Sequence, residues 1–355
     1  MRDIPVGLIG YGIAGAVFHA PLIRACPQLR LAAIASSRKE QVEALGGVRA
    51  VPTVAELLSD PDIRLVVVAS PSDTHFELAA AALAAGKHVV VDKPFTLTAA
   101  EADELIRRAA RSGCALSVFQ SRRWDGDYLT VKRLIAEGAL GTVYYYEARY
   151  DRFRPHIRAR WRELPGPGSG ILYDLGPHLI DQALQLFGMP QAVSADAFAQ
   201  RPGGQSVDYF HLTLHYGLLR AILHGSVLVA GAGPHFSIHG DGGSFIKYGM
   251  DPQEEALKAG KRPGDAQWGV EDPSLHGELT SADGARRRVE TQLGRLETFY
   301  RELADHIARG APAPVDPGDA RDNIAVIEAA LRSAEEGRVV RIETGPRAST
   351  PGTVA

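Results

Sequence analysis

Close to the start of the chain a short apolar run, Val6-Gly7-Leu8-Ile9, breaks into Gly10-Tyr11-Gly12-Ile13-Ala14-Gly15 and passes at once into a helical pattern. Glycines at this spacing, between a strand and a helix, each have a physical use. Gly10 permits a tight turn, Gly12 lets the backbone approach a pyrophosphate, and Gly15 lets helix and strand pack closely. The amides of Ile13, Ala14 and Gly15, at the start of the helix, would then face phosphate oxygens. The competing reading is a glycine-rich turn in some other α/β protein. The strand before, the helix after and the position near the N-terminus favour a dinucleotide site.

Beyond the glycines the rhythm is that of a parallel sheet. Ile13–Ala25 reads as a helix and Leu29–Ala35 as a second buried strand. Val48–Val51, Leu65–Ala69, Lys87–Asp92 and Ala115–Phe119 read as further strands, with helical patterns at Val54–Leu58, His75–Ala85 and Ala99–Arg111 between them. Gly86 is placed to close the second of these helices, and Thr98 with Glu101 forms a capping box for the third. Such alternation implies right-handed crossovers and a doubly wound sheet, with ligands beyond the carboxyl ends of its strands. Ser70, Pro71, His75 and Lys93 fall on that edge.

The end of the second strand bears on which dinucleotide fits. An Asp or Glu there would hold the ribose 2′-hydroxyl of NAD. This chain has Ser36-Ser37-Arg38-Lys39 instead, two hydroxyls and two cations with no carboxylate to repel a 2′-phosphate. Arg38 offers a planar fork to such a phosphate, so NADP is expected rather than NAD. The plainer alternative is that Ser36 caps a helix of solvated charges.

Near Gln120-Ser121-Arg122-Arg123-Trp124 the α/β rhythm ends, which divides the chain into residues 1–121 and 122–345. Helix Tyr128–Glu137 and strand Val143–Tyr150 open the second part, followed by an arginine-rich connection from Asp151 to Gly170. A connection of that length is usually functional or disordered, and its aromatics and arginines favour a functional lip. In Asp174-Leu175-Gly176-Pro177-His178, Asp174 and His178 are four apart and share a face if a helix has begun. The alternative makes Asp174 a helix cap and His178 a satisfied interface histidine. Alternating runs at Ala195–Ala199, Val207–Tyr216, Leu219–Leu228, His235–His239 and Ser244–Tyr248 suggest an antiparallel or mixed sheet. Pro252–Pro273 reads as loop with one short helix. Two amphipathic helices, Leu293–Ile307 and Ala320–Glu336, close the chain and could pack on either domain, with a frayed tail beyond Thr344.

Composition excludes more than it proposes. A net charge of −3 over 355 residues gives no support to nucleic-acid or membrane-surface binding. No signal-peptide succession precedes the first strand, and the apolar runs are too short to span a bilayer. Two cysteines, Cys26 and Cys114, in separate elements read as free thiols of a cytoplasmic protein. His211, His215, His224, His235 and His239 lack carboxylate or cysteine companions at ligand spacing, so no metal site is expected.

Three motifs in order, Gly10–Gly15, Val91-Asp92-Lys93-Pro94 and Asp174–His178, carry a resemblance to the glucose–fructose oxidoreductase/inositol dehydrogenase/rhizopine-catabolism (Gfo/Idh/MocA) family. The runs Phe18–Ile23, Lys93–Thr98, Arg122–Asp127 and Asp151–Pro155 are similar to its NADP-dependent scyllo-inositol dehydrogenases. The resemblance covers most of the chain, to about Gly269. It implies a Rossmann domain and a C-terminal α/β domain whose large, open, mostly antiparallel sheet serves substrate binding and homodimer or homotetramer contacts. It also implies a catalytic group of Lys93, Asp174 and His178, with His75, Trp161 and Arg162 as cofactor or pocket contacts. Two departures stand out. Asp92 replaces the more usual Glu, and Gly168-Ser169-Gly170 replaces three glycines.

Secondary-alcohol oxidation needs a base as well as a hydride acceptor. His178 is suited to take the proton, Asp174 to orient it, and Lys93 to stabilise developing alkoxide. A lysine of lowered pKa could instead be the base. The expected activity is an NADP-dependent polyol or sugar dehydrogenase, an inositol first. Reduction of another keto-sugar or aldose, and a non-enzymatic dinucleotide-sensing regulator of the same family, are the alternatives. The intact Lys93, Asp174 and His178 argue against the regulator.

Overall fold

The computed structural model describes residues 3–342, so the expected frayed tail beyond Thr344 lies outside the described residues. Strands β1 (Ile4–Ile9), β2 (Leu29–Ala35), β3 (Arg49–Val51), β4 (Leu65–Val68), β5 (His88–Asp92) and β6 (Leu116–Phe119) form a parallel sheet in the order β3-β2-β1-β4-β5-β6. The order reverses beside β1, so the crevice at the carboxyl ends of β1 and β4 is the expected ligand site. Val66, Val67, Val89 and Val90 are completely buried, as expected of central parallel strands covered on both faces.

The first helix departs from the regular one expected over Ile13–Ala25. A π-helical turn spans Ala14–His19, and an α-helix follows over Ala20–Arg24. Pro21 lacks an amide hydrogen, and its ring would crowd the carbonyl four residues back. A widened turn relieves that clash and leaves His19 fully buried. The capping box at Thr98 and Glu101 forms as expected, at the start of helix Ala99–Ser112.

The second sheet is nine-stranded and mixed, in the order β14-β13-β12-β11-β7-β10-β9-β8-β15. Its members are β7 (Val143–Asp151), β8 (Ala192–Phe198), β9 (Tyr209–Tyr216), β10 (Leu219–Ser226), β11 (Phe236–Gly240), β12 (Gly243–Lys247), β13 (Gly277–Ser281), β14 (Arg286–Val289) and β15 (Val340–Arg341). Only β7 and β10 pair in parallel. The sheet buries one face, with Tyr146, Ala148, Leu212, Leu214, Ala221 and Leu223 all at zero exposure. The opposite face carries the partly exposed His211, His215, Ile222 and His224.

Of the two closing helices, Thr298–Arg309 packs on the first sheet's side and Pro317–Glu336 bridges both sheets. Tyr300 meets His19 at 2.6 Å, and Arg321 pairs with Asp103 at 3.1 Å. The fully buried Asn323 donates to the Pro177 carbonyl at 2.7 Å, fixing the segment that carries Asp174 and His178. Among the described residues no helix is long and apolar enough to cross a membrane.

Candidate active site

At the end of β1 the three glycines hold three different relations to their surroundings. Gly10 has φ +94°, and a Cβ there would lie 2.6 Å from the Ala69 carbonyl oxygen. A Cβ on Gly15 would come within 2.2 Å of the Gly10 carbonyl oxygen, so this position is closed by the fold itself. Gly12 is the opposite case, with nothing within 4 Å of its would-be Cβ. Its space is left open, as a cradle for a pyrophosphate requires. Ile13, more than half exposed, and Ala14 complete the rim of that cradle.

Ser36, Ser37 and Arg38 follow β2 on the same edge, and Ser37 and Arg38 are exposed. Ser36 does not cap the next helix. Its Oγ accepts from the Arg38 amide at 3.1 Å, while Arg38 itself occupies the N-cap position of helix Lys39–Glu43 with no side-chain cap. The exposed Ser37 and Arg38 side chains stand on this edge.

Lys93 follows directly after β5. Its Nζ donates to the Asp174 carbonyl at 2.6 Å and to Asp174 Oδ1 at 3.0 Å. Arg162 lies 3.3 Å from Oδ1, and Arg152 3.6 Å from Oδ2. Burial alone would push the Asp174 carboxyl up. Lys93, Arg162 and Arg152 outweigh it and hold the group well below the usual carboxylate range. His178 is buried beside this cluster, its ring stacked on Tyr150 with centroids 6.3 Å apart. Burial drives its pKa well below the ordinary imidazole value, and Lys93 and Arg122 drive it further. The ring is therefore neutral near neutral pH, with a lone pair on one of its nitrogens.

This arrangement corrects the expected contact between Asp174 and His178. Asp174 ends the short helix Ile171–Asp174, Leu175 breaks the register, and His178 belongs to the next helix, Gly176–Phe187. The carboxylate meets three cations, and His178 Nδ1 is buried with no hydrogen-bond partner. A second correction concerns His75. It is buried, with Nδ1 2.8 Å from the Pro94 carbonyl and Nε2 3.1 Å from the Ser70 carbonyl. Both ring nitrogens face backbone carbonyls, and the neutral ring can donate to only one of them, so His75 ties the end of β4 or β5 to its helix rather than presenting a free N–H to a cofactor. Ser70 Oγ meets Thr74 Oγ1 at 2.6 Å, and Pro71 leads into the turn Ser72–Thr74. Trp161 and Arg162 lie on the arginine-rich lip, the guanidinium 4.5 Å from the indole centroid.

The two departures from the family pattern have local reasons. Gly168 and Gly170 have φ +69° and +84°, whereas Ser169 uses its hydroxyl to meet Ser206 Oγ at 3.1 Å. Asp92 is buried with an oxygen 3.6 Å from His19 Nε2. Arg122, Tyr150 and Arg152 are site residues absent from the sequence-based set. Arg122 donates to Tyr150 Oη at 2.9 Å and to Asp125 at 3.0 Å, and Arg152 lies over the Tyr150 ring at 4.9 Å. The available signal was the inward parity of Tyr150 on β7, which it shares with Tyr146 and Ala148. Among the described residues no group of three or more ligating side chains could hold a metal ion. His224 faces Asp151, His235 the Arg149 carbonyl, and His239 sits between Ser237 and Ser244.

Residues 4–120 match the oxidoreductase family's NAD-binding Rossmann fold, and residues 132–342 its C-terminal alpha/beta domain. The chain is 46% identical to scyllo-inositol 2-dehydrogenase (NADP(+)) of Bacillus subtilis over 344 residues, 96% of each protein. It is 49% identical to an uncharacterised oxidoreductase of Escherichia coli, covering 94% of this chain and 97% of that one. A solved oxidoreductase structure from Bacillus subtilis superposes with a TM-score of 0.94 at 45% identity, covering 96% and 99% of the two chains. The sequence motifs, the two sheets and these matches agree: the chain belongs to the Gfo/Idh/MocA oxidoreductase family.

Proposed function

We propose that this oxidoreductase uses NADP(H) to interconvert a secondary alcohol and a ketone on a cyclic polyol or sugar, with scyllo-inositol as first substrate. The observation that carries the reading is the cluster of Lys93, Asp174 and His178 built on the same carboxyl edge of the parallel sheet as the cradle at Gly10–Gly15. Identity to an NADP-dependent scyllo-inositol dehydrogenase supports the substrate class. The residues present fit the dinucleotide. Gly12 leaves room for a pyrophosphate, and Ser36, Ser37 and Arg38 offer donors with no opposing carboxylate.

When bound, the nicotinamide supplies the hydride acceptor. The protein's part is charge and proton handling. Lys93, oriented by two bonds to Asp174, keeps a third donor for the reacting oxygen and stabilises alkoxide character there. His178 takes the hydroxyl proton as the neutral ring. Arg152 and Arg162 hold Asp174 ionised, so that Lys93 stays in place. The chain is read as a cytoplasmic homodimer or homotetramer, the location supported by its two free cysteines and the assembly by the partly exposed second face of the nine-stranded sheet. A spectrophotometric screen of NADP and NAD reduction against inositols, other polyols and sugars tests the proposal. Turnover of scyllo-inositol with NADP is expected. Turnover confined to an aldose or to a different keto-sugar would move the substrate, and none with any alcohol would defeat the enzyme reading.

A further inference from the structure

With Asp174 engaged by three cations, something else must fix the ring of His178. A neutral imidazole that accepts a proton at one nitrogen carries its hydrogen on the other, and the hydrogen bond to that N–H sets the tautomer. His178 Nδ1 is buried without a partner, and so are two acceptor oxygens, Gln182 Oε1 and Asp125 Oδ1. All three residues line one narrow gap, together with Arg122, Tyr150 and His235.

Gln182 lies one turn after His178 on helix Gly176–Phe187, which puts both side chains on one face. Its amide is already oriented. Nε2 donates to the Arg122 carbonyl at 3.2 Å, and a carbonyl can only accept, so Oε1 is the free end. Asp125 is differently engaged, because its other oxygen holds the Arg122 guanidinium at 3.0 Å. We propose that Gln182 is the positioning residue for His178. In this arrangement Nδ1–H donates to Gln182 Oε1, and Nε2 is left as the acceptor for the substrate proton. The inference rests on the reading of His178 as proton acceptor. The charged groups acting on this ring are Lys93, Arg122, Arg152 and Asp174, with Asp125, Tyr150 and His235 also lining the gap. A neutral amide fixes the tautomer among them without adding another charge.

Two variants test it, with scyllo-inositol and NADP as probes. Gln182→Met removes the acceptor and should lower kcat roughly ten-fold, the lower end of what outer hydrogen-bond partners of histidines contribute in metal sites. NADPH affinity and the melting temperature control for folding. Gln182→Glu restores an acceptor as a carboxylate. It should recover turnover relative to the Met variant and move the acid limb of the pH–kcat profile to higher pH by about one unit. Nitrogen NMR of the His178 ring supplies a reading independent of substrate, with Nδ1 protonated in the wild type and that preference lost in Gln182→Met. An Nε2-protonated ring in the wild type would overturn the proposal. So would an unmoved acid limb in Gln182→Glu beside a shifted one in Asp125→Asn. If His178→Ala itself keeps full turnover, the failure belongs to the base assignment, whatever the Gln182 variants do.

Discussion

Replacing Asp174 by Asn removes one charge and almost no volume, so its cost is set by the cations around the carboxylate. Lys93 lies at 3.0 Å, Arg162 at 3.3 Å and Arg152 at 3.6 Å. At an effective dielectric near 20, each such pair attracts by about 5 kcal/mol before desolvation is subtracted. Breaking a buried pair costs about 3–5 kcal/mol net. The partners retain 12–33% side-chain exposure and the arginines can turn toward water, which places this site at the low end, about 3 kcal/mol. Melting should fall by roughly 4 °C at pH 7 for a chain of 355 residues. The direction of the pKa shift fixes the sign of the pH dependence. Because the folded Asp174 pKa lies below its unfolded value, its stabilisation is complete above about pH 4 and is lost as pH falls through the folded value. Thermal melts of wild type and Asp174→Asn across pH should therefore differ most at neutrality and converge in acid. Equal melting temperatures at pH 7, or a gap that widens in acid, would refute this electrostatic account.

Arg38→Ala should weaken NADP binding roughly ten-fold or more, the scale of a lost charge-assisted contact of about 1.5–3 kcal/mol, and barely change NAD binding. Equal losses for both, read by titration calorimetry, would remove Arg38 from phosphate recognition. Gly12→Ala and Gly15→Ala should separate binding from folding. The first meets nothing in the protein and should keep the melting temperature while weakening NADP. The second drives a methyl group into the Gly10 carbonyl and should destabilise by about 1–3 kcal/mol.

The first sheet was legible because its signals are local. Leu29–Ala35 is a strand over the expected residues, and the Thr98–Glu101 cap needed only four consecutive positions. Strand β14 was not legible, because Arg286, Arg287 and Arg288 are all exposed on a sheet edge where nothing imposes apolar alternation. The π-helical turn at Ala14–His19 was hidden for a different reason, since the apolar run reads as an ordinary helix and only Pro21 hints at the widened turn. In the site, the motifs named Lys93, Asp174 and His178 correctly as neighbours, but spacing paired the wrong two. Asp174 finds Lys93 81 positions away in sequence, and the break at Leu175 removes the helical continuity on which four-residue spacing depends. His75 was read by its place at a strand end, which is right, while its two backbone partners depend on how β4 and β5 finish.

The central claim is that Lys93 and His178 act on the reacting hydroxyl while the dinucleotide is held elsewhere. Its most direct test is the steady-state rate of scyllo-inositol oxidation by Lys93→Met and His178→Ala, each at saturating NADP with NADPH affinity measured in parallel. Turnover should fall by about 10²–10⁴-fold in His178→Ala and at least as far in Lys93→Met, the double variant losing far less than the product of the two. NADPH affinity should remain close to wild type in His178→Ala. Near-normal turnover in both single variants would contradict the account.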